Sequence, residues 1–295
     1  MNMSMLPLAL NLTVFILTAL EMTHSGWIEK EEEKYHLNLR SRTEAEDGSY
    51  KVEEKEVIWE PSKTAFIICD MWDEHWCKSA TQRVGELAGP MNEIIKEVRN
   101  KGSLIIHAPS SVTSFYEDTP QRKKAKQAPF VSTPKPLSTS QRWGTAWCWP
   151  DESREQPLPI DDTDMGCDCA VKCEIRDAWT QQTPTIEMAP EDAITDNGQE
   201  TFNLLAQHKI ENVVLLGVHL NMCVLGRPFG IRQMVQQGKN VVLMRDMTDT
   251  MYNPEMEPRV SHVKGTELVI EHVEKYWCPS FTSTDITGRP AFSFR

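Results

Sequence analysis

Positive charge is what this 295-residue chain has too little of: 31 lysines and arginines stand against 43 aspartates and glutamates, giving a net charge of −12. Binding a phosphate backbone needs a basic face, so no nucleic-acid partner is expected. The only cationic run, Arg122-Lys-Lys-Ala-Lys126, reads as a solvated loop. Long apolar runs are also scarce. Leu6 to Leu20 is nearly uncharged, but it falls short of the roughly 20 residues a spanning helix needs. It reads as a signal peptide over residues 1–25, which would place the chain outside the cytoplasm, periplasmic or extracellular, with an N-terminal anchor as its only stable membrane attachment. No internal repeat is evident, and 40% hydrophobic with 25% charged residues is a globular balance that excludes general disorder.

Metal-binding spacings are missing too. The eight cysteines are Cys69, Cys77, Cys148, Cys167, Cys169, Cys173, Cys223 and Cys278. Cys167-Asp-Cys-Ala-Val-Lys-Cys173 has no second cluster or histidine pair at zinc spacing, so disulfides, free thiols and a metal all stay open for it. Asp161, Asp162, Asp164 and Asp168 gather nearby, but Gly166 falls where a calcium loop would want an oxygen ligand, so they read as a solvated turn.

What the chain does have is a pattern of apolar runs alternating with helical periodicity. Thr64 to Asp70, Ser103 to Ala108, Asn212 to Gly217 and Asn240 to Arg245 are short β-branched runs, and a weaker one lies near Thr185 to Met188. Helices are expected over Val84 to Lys101, Asp196 to His208, the stretch from Cys223 to Gly238, and Val263 to Tyr276. Five strands alternating with helices imply an α/β fold, a parallel sheet in three α/β/α layers. Tyr35 to Arg42 and Tyr50 to Trp59, around Asp47-Gly48, read as a solvated β-hairpin over residues 26–60, ahead of a main domain at 61–278 and a tail at 279–295. Between 109 and 183 periodicity fades and eight of the eighteen prolines collect, marking a long loop insertion.

In a sheet of this kind ligands collect beyond the carboxyl ends of the strands. Asp70, His107 and Cys223 each fall at or just past such an end. Cys223 sits where a strand turns into a helix, where unpaired amides and the helix dipole favour a thiolate. A carboxylate beside it could take the thiol proton and return it to a leaving amine, while backbone amides of the turn hold an oxyanion.

Phe66-Ile-Ile-Cys-Asp-Met-Trp-Asp73 resembles the first-strand motif of the isochorismatase-like cysteine hydrolases, usually a strand ending in Asp-Met-Gln. Gly217-Val-His-Leu-Asn-Met-Cys-Val224 is similar to their Gly-Val-Ala-Thr-Asp-Ile-Cys-Val signature. The resemblance runs from about Thr64 to Tyr276. It implies a Rossmann-like α/β/α scaffold and the activities of nicotinamidases, N-carbamoylsarcosine amidases, related amidohydrolases or isochorismate hydrolases. It implies Cys223 as nucleophile, Asp70 as proton-transferring acid, and an oxyanion hole at Val218, His219 and Cys223 shaped by an often cis peptide.

Three positions depart from the family pattern. No lysine follows the third strand, so Lys172 or Arg176 is expected to substitute. The metal pair Asp-x-His is missing after the second strand, and Asp73-Glu-His75 has its spacing but follows the first. Metal ligands are therefore none, and zinc is not supported at the usual position. Trp72 and His219 replace a glutamine and an alanine and, with His75 and His107, are expected to line a substrate pocket that does not suit nicotinamide. The favoured function is Cys-dependent hydrolysis of a small amide or related carbonyl compound. The alternatives are a vinyl-ether hydrolase of the isochorismate type and a non-catalytic scaffold. The expected partners are a small-molecule substrate and further copies of the chain; Phe229 and Ile231 read as core.

Overall fold

The computed structural model describes residues 33–294, so the expected signal peptide lies outside the described residues. In chain order the elements are β1 (Tyr35–Glu44), β2 (Tyr50–Trp59), β3 (Thr64–Cys69), α1 (Lys78–Asn100), β4 (Leu104–Ala108), α2 (Pro120–Gln127), β5 (Gln141–Arg142), β6 (Thr145–Ala146), β7 (Ala193–Ile194), α3 (Gly198–Gln207), β8 (Asn212–Val218), α4 (Ile231–Gln236), β9 (Asn240–Asp249), α5 (His262–Tyr276), β10 (Ser280–Phe281) and α6 (Thr284–Thr287). Eight strands form one sheet in the order β2-β1-β10-β9-β8-β3-β4-β7. The six from β10 to β7 run parallel, and the β1–β2 hairpin adds antiparallel at one edge. β5 and β6 form a separate small ribbon.

The central strands are apolar throughout because both faces of the sheet are covered. Ala65, Ile67 and Cys69 of β3 face the side packed by Leu204, Ile231 and Val269 of α3, α4 and α5. Phe66 and Ile68 face the other side, packed by Leu87, Met91 and Ile95 of α1. This is the expected three-layer α/β/α arrangement. Among the described residues no helix is long and apolar enough to cross a membrane.

Several expected elements differ. The third parallel strand is Ala193–Ile194, and Thr185 to Met188 is a turn; two paired residues are too few to leave a periodic signal. The hairpin is part of the sheet, not a solvated appendage. Tyr35, Leu37 and Leu39 are buried in the α1-side core, and Tyr35 Oη lies 2.7 Å from Ser103 Oγ. The segment read as a tail supplies β10, the strand that links hairpin and sheet. The basic run is the helix α2, with Arg122 buried against Glu200. Helix α1 begins at Lys78, six residues before the periodicity suggests, because Cys77 at its N-cap makes no side-chain cap to mark it. Phe229 and Ile231 are core.

Candidate active site

Strands β3 and β8 lie side by side, Cys69 in register with Gly217, so whatever follows each strand emerges at the same point of the sheet edge. Gly217 is required there. Its φ is +105°, and a Cβ would stand 2.1 Å from the Cys69 carbonyl oxygen. Beyond β3 comes Asp70, itself in the left-handed region at φ 47°. Beyond β8 the Val218–His219 peptide is cis, and a π-helical turn over Leu220–Val224 follows. The His219 carbonyl accepts the amides of Met222 and Val224 at 3.0 and 3.2 Å, which wraps the chain around Cys223. Asn221 fixes the turn from outside, donating to Asp162 Oδ2 at 2.8 Å and to the Met251 carbonyl at 3.1 Å.

Asp70 and Cys223 are thus brought together, both buried. Asp70 Oδ1 accepts the Ser110 amide at 2.6 Å, while Oδ2 faces Arg227 Nε at 3.5 Å. Arg227 is buried as well and interacts with the Cys223 sulfur. It lies one turn beyond Cys223, and its amide donates to the Cys223 carbonyl at 2.9 Å. Its guanidinium bonds Thr145 Oγ1 and rests 5.5 Å from the Trp147 ring centre. Trp147 can approach this turn only because residue 226 is glycine, since a Cβ there would meet its ring at 2.4 Å.

Burial pushes the Cys223 thiol up, with Asp70 adding to the rise and Arg227 opposing it. Burial likewise raises the Asp70 carboxyl against the pull of Arg227. The expected stabilisation of a thiolate by helix amides is outweighed: the turn is short and dry, and desolvating an anion costs more than one turn of dipoles returns. Burial thus favours the protonated thiol in the resting site.

The cation beside this pair is Arg227, not Lys172 or Arg176. Lys172 is exposed, and Arg176 is an exposed partner of Glu74 at 2.5 Å. The signal in the sequence is a positive charge four residues after Cys223, on the segment of the nucleophile and not on the third strand.

The site opens into a cavity of about 670 Å³ lined by Trp72, His75, Trp143, Trp179, His219 and Met222 with Cys223 and Arg227 at its floor. Trp72 stacks on Trp179 at 4.5 Å, and His75 packs edge-on to His219 at 5.2 Å. Burial, with the Arg83 charge adding to it, holds His75 down at about 4, and burial pushes His219 well below its ordinary value. Both shifts favour the neutral imidazole. His219 Nε2 is buried with no hydrogen-bond partner.

His107 is not in this pocket. Strand alternation turns it to the α1 side, where it lies between Gln182 Oε1 at 3.1 Å and Asp192 Oδ2 at 3.0 Å, and Asp192 in turn pairs with Arg99. Asp73 and His75 do not converge on a common point. Asp73 accepts from Thr180 and from the amides of Glu74 and Gln181, while His75 Nδ1 accepts the Cys77 amide at 3.1 Å. No disulfide joins any of the eight cysteines.

No family model matches the sequence, and no curated protein does. Among solved structures, a cysteine hydrolase from Pseudomonas syringae pv. phaseolicola 1448A is 14% identical over 77% of this chain and 93% of its own, with a TM-score of 0.47. The N-carbamoylsarcosine amidase from Thermoplasma acidophilum is 12% identical over 63% of this chain and 83% of its own, at 0.35. The pyrazinamidase of Pyrococcus horikoshii, solved in complex with zinc, is 16% identical over 71% and 93%, at 0.38. Solved structures similar to this chain thus include amidases and cysteine hydrolases, at identities and TM-scores that assign it neither activity nor substrate.

Proposed function

We propose that the chain is a cysteine hydrolase that cleaves a small amide or related carbonyl compound through a thioester on Cys223. The observation that carries this reading is the meeting of a thiol, a carboxyl group and a fixed cation: Cys223 and Arg227 line one cavity, and buried Asp70 stands behind them with Oδ2 3.5 Å from Arg227 Nε.

The side chains divide the work by what each can hold. The Cys223 proton passes to the Asp70 carboxylate as sulfur attacks the substrate carbonyl carbon, and Arg227 offsets the charge that develops in a dry site. Backbone amides at Val218, His219 and Cys223 are the assigned donors to the oxyanion. Collapse of the tetrahedral intermediate breaks the C–N bond, and the leaving amine takes the proton from Asp70. Asp70 then draws a proton from water, which attacks the thioester, and the thiol is restored with release of the acid. An arginine does not give up its proton in proteins, so Arg227 supplies charge only and every proton transfer falls to Asp70. The stacked Trp72 and Trp179 favour a flat, apolar acyl group, and His219 Nε2 is free to bond a polar substituent on it.

Rapid quenching of the protein with a panel of aryl and heteroaryl primary amides and N-carbamoyl compounds, followed by intact mass measurement, should show an acyl adduct on Cys223. Cys223→Ala should abolish both adduct and turnover, and amide turnover that persists in Cys223→Ala would sink the reading.

One observation favours a second reading, vinyl-ether hydrolysis of the isochorismate type. Burial raises the Asp70 carboxyl above the usual carboxylate range, and an acid alone suffices to protonate a vinyl ether. That reading predicts turnover that survives Cys223→Ser and is lost in Asp70→Asn.

A further inference from the structure

Seven of the eight cysteines fall outside the chemistry above, and the fold brings four of them to one place. Cys77 is the N-cap residue of the 23-residue helix α1, and Cys167, Cys169 and Cys173 lie on the insertion some ninety residues further along the chain. The sulfurs of Cys77, Cys167 and Cys169 all lie within 4.8 Å of one another, and Cys77 Sγ is 3.8 Å from Cys169 Sγ. Cys173 Sγ is in interaction range of Cys169.

These distances discriminate between chemistries. Four thiolates at about 2.3 Å from a tetrahedral zinc ion stand about 3.8 Å apart. A disulfide needs sulfurs about 2.05 Å apart, and Cys77 Sγ and Cys169 Sγ stand at 3.8 Å. The surroundings suit thiolate ligands. The Ser79 amide and hydroxyl lie 3.3 and 3.1 Å from Cys169 Sγ, in the first turn of a long helix whose positive end faces the cluster. The carboxylate between two of the ligands is turned away: Asp168 pairs with Arg83 at 2.8 Å and approaches His262 at 3.4 Å. An all-sulfur donor set selects a soft or borderline ion over calcium or magnesium.

The loop also needs such a fastening. From Met165 to Trp179 it has no helix or strand to hold its course, and Val171 and Ile175 are exposed. The same segment supplies Met165, Ile175 and Trp179 to the wall of the active-site cavity, and Trp76, next to Cys77, supplies the opposing side.

We infer that Cys77, Cys167, Cys169 and Cys173 form a structural site for a thiophilic divalent cation, zinc by chemical class, which fastens the insertion to the start of α1 and so shapes the pocket. Four thiols lose four protons and no electrons on binding, leaving a tetrathiolate centre of charge −2. The inference does not depend on which reaction the pocket performs.

The test uses the full chain purified under reducing conditions and loaded with Zn²⁺ or Co²⁺. One equivalent of zinc per chain should survive dialysis. The cobalt form should show the intense visible bands of tetrahedral coordination together with sulfur-to-cobalt charge transfer. Both should vanish in the Cys167→Ser, Cys169→Ser double variant and remain in Cys223→Ser. If the double variant fails to fold, differential alkylation of the wild-type protein decides: bound zinc should protect these four cysteines selectively. Weakly held metal, a cobalt spectrum of oxygen ligation, protection that omits any of the four, or a Cys77–Cys169 disulfide in protein prepared without reductant would each overturn the site.

Discussion

Arg227 Nε stands 3.5 Å from Asp70 Oδ2, with both side chains sealed from solvent. The cation of the site therefore comes from the same segment as the nucleophile, four residues further along, and not from a separate strand. A charge placed there moves with Cys223 and cannot be lost without leaving a buried carboxyl group uncompensated.

Arg227→Met keeps much of the volume and removes the charge. Turnover should fall about 10²- to 10³-fold, as when a fixed charge stabilising a developing anion is removed. Stability should fall by about 3–5 kcal/mol because one partner of a buried pair is gone. Arg227→Lys should recover more of the stability than of the activity, since its single ammonium cannot reach Asp70 and Thr145 together. Steady-state kinetics beside urea denaturation checks both, and wild-type turnover in Arg227→Met would remove Arg227 from the site.

A second buried network sets the acid limb of stability. Burial alone would raise Glu155, but His272 at 2.8 Å and Arg232 at 2.8 Å overcome it and bring the carboxyl from 4.5 down to about 2. A lowered folded-state value means stability that is present above the unfolded value near 4.5 and is lost as the pH falls towards 2. The contribution is on the order of 3 kcal/mol. Denaturation midpoints measured from pH 6 to pH 2 should drop steeply in the wild type, and Glu155→Gln should start lower and fall less. Parallel curves for the two proteins would contradict the assignment.

Gly226→Ala tests how the tryptophan wall is held. Its Cβ would lie 2.4 Å from the Trp147 ring, so the ring must shift and take its contact with Arg227 along. A loss of about 1–3 kcal/mol is expected from overpacking, with a larger proportional loss of activity than a surface glycine such as Gly85, which has open space around it, would give. Thermal unfolding and turnover of the two alanine variants separate the cases, and equal behaviour would show that Trp147 does not depend on that approach.

Much of the scaffold was legible because buried parallel strands are written as short unbroken apolar runs and the covering helices as 3.6-residue periodicity. Thr64 to Cys69, Leu104 to Ala108, Asn212 to Val218 and Asn240 to Arg245 could be read this way. Ala193–Ile194 and Ser280–Phe281 could not: two residues carry no period, and both become strands only because a neighbour offers an unpaired edge. The basic stretch at Arg122 was not legible as a helix for a related reason, since it is held largely by polar contacts, the Arg122–Glu200 pair and bonds from Gln121, Arg122 and Lys124 to backbone carbonyls, and not by a long apolar stripe. In the site, Asp70 and Cys223 were found because both follow strong strands. His107 was misplaced because reaching the end of a strand does not decide which face a side chain takes, and the packing of Asp192 against Arg99 does.

The sequence by itself determined the α/β layering and the placing of an acid and a cysteine at neighbouring strand ends, because strand and helix periods are local properties of the chain. Tertiary structure alone decided that Arg227 is the cation, that burial raises the Cys223 thiol, and that Cys77 joins cysteines some ninety residues away. Each of these depends on which side chains share a dry space, and both desolvation and Coulomb attraction act through distances that the linear order does not contain.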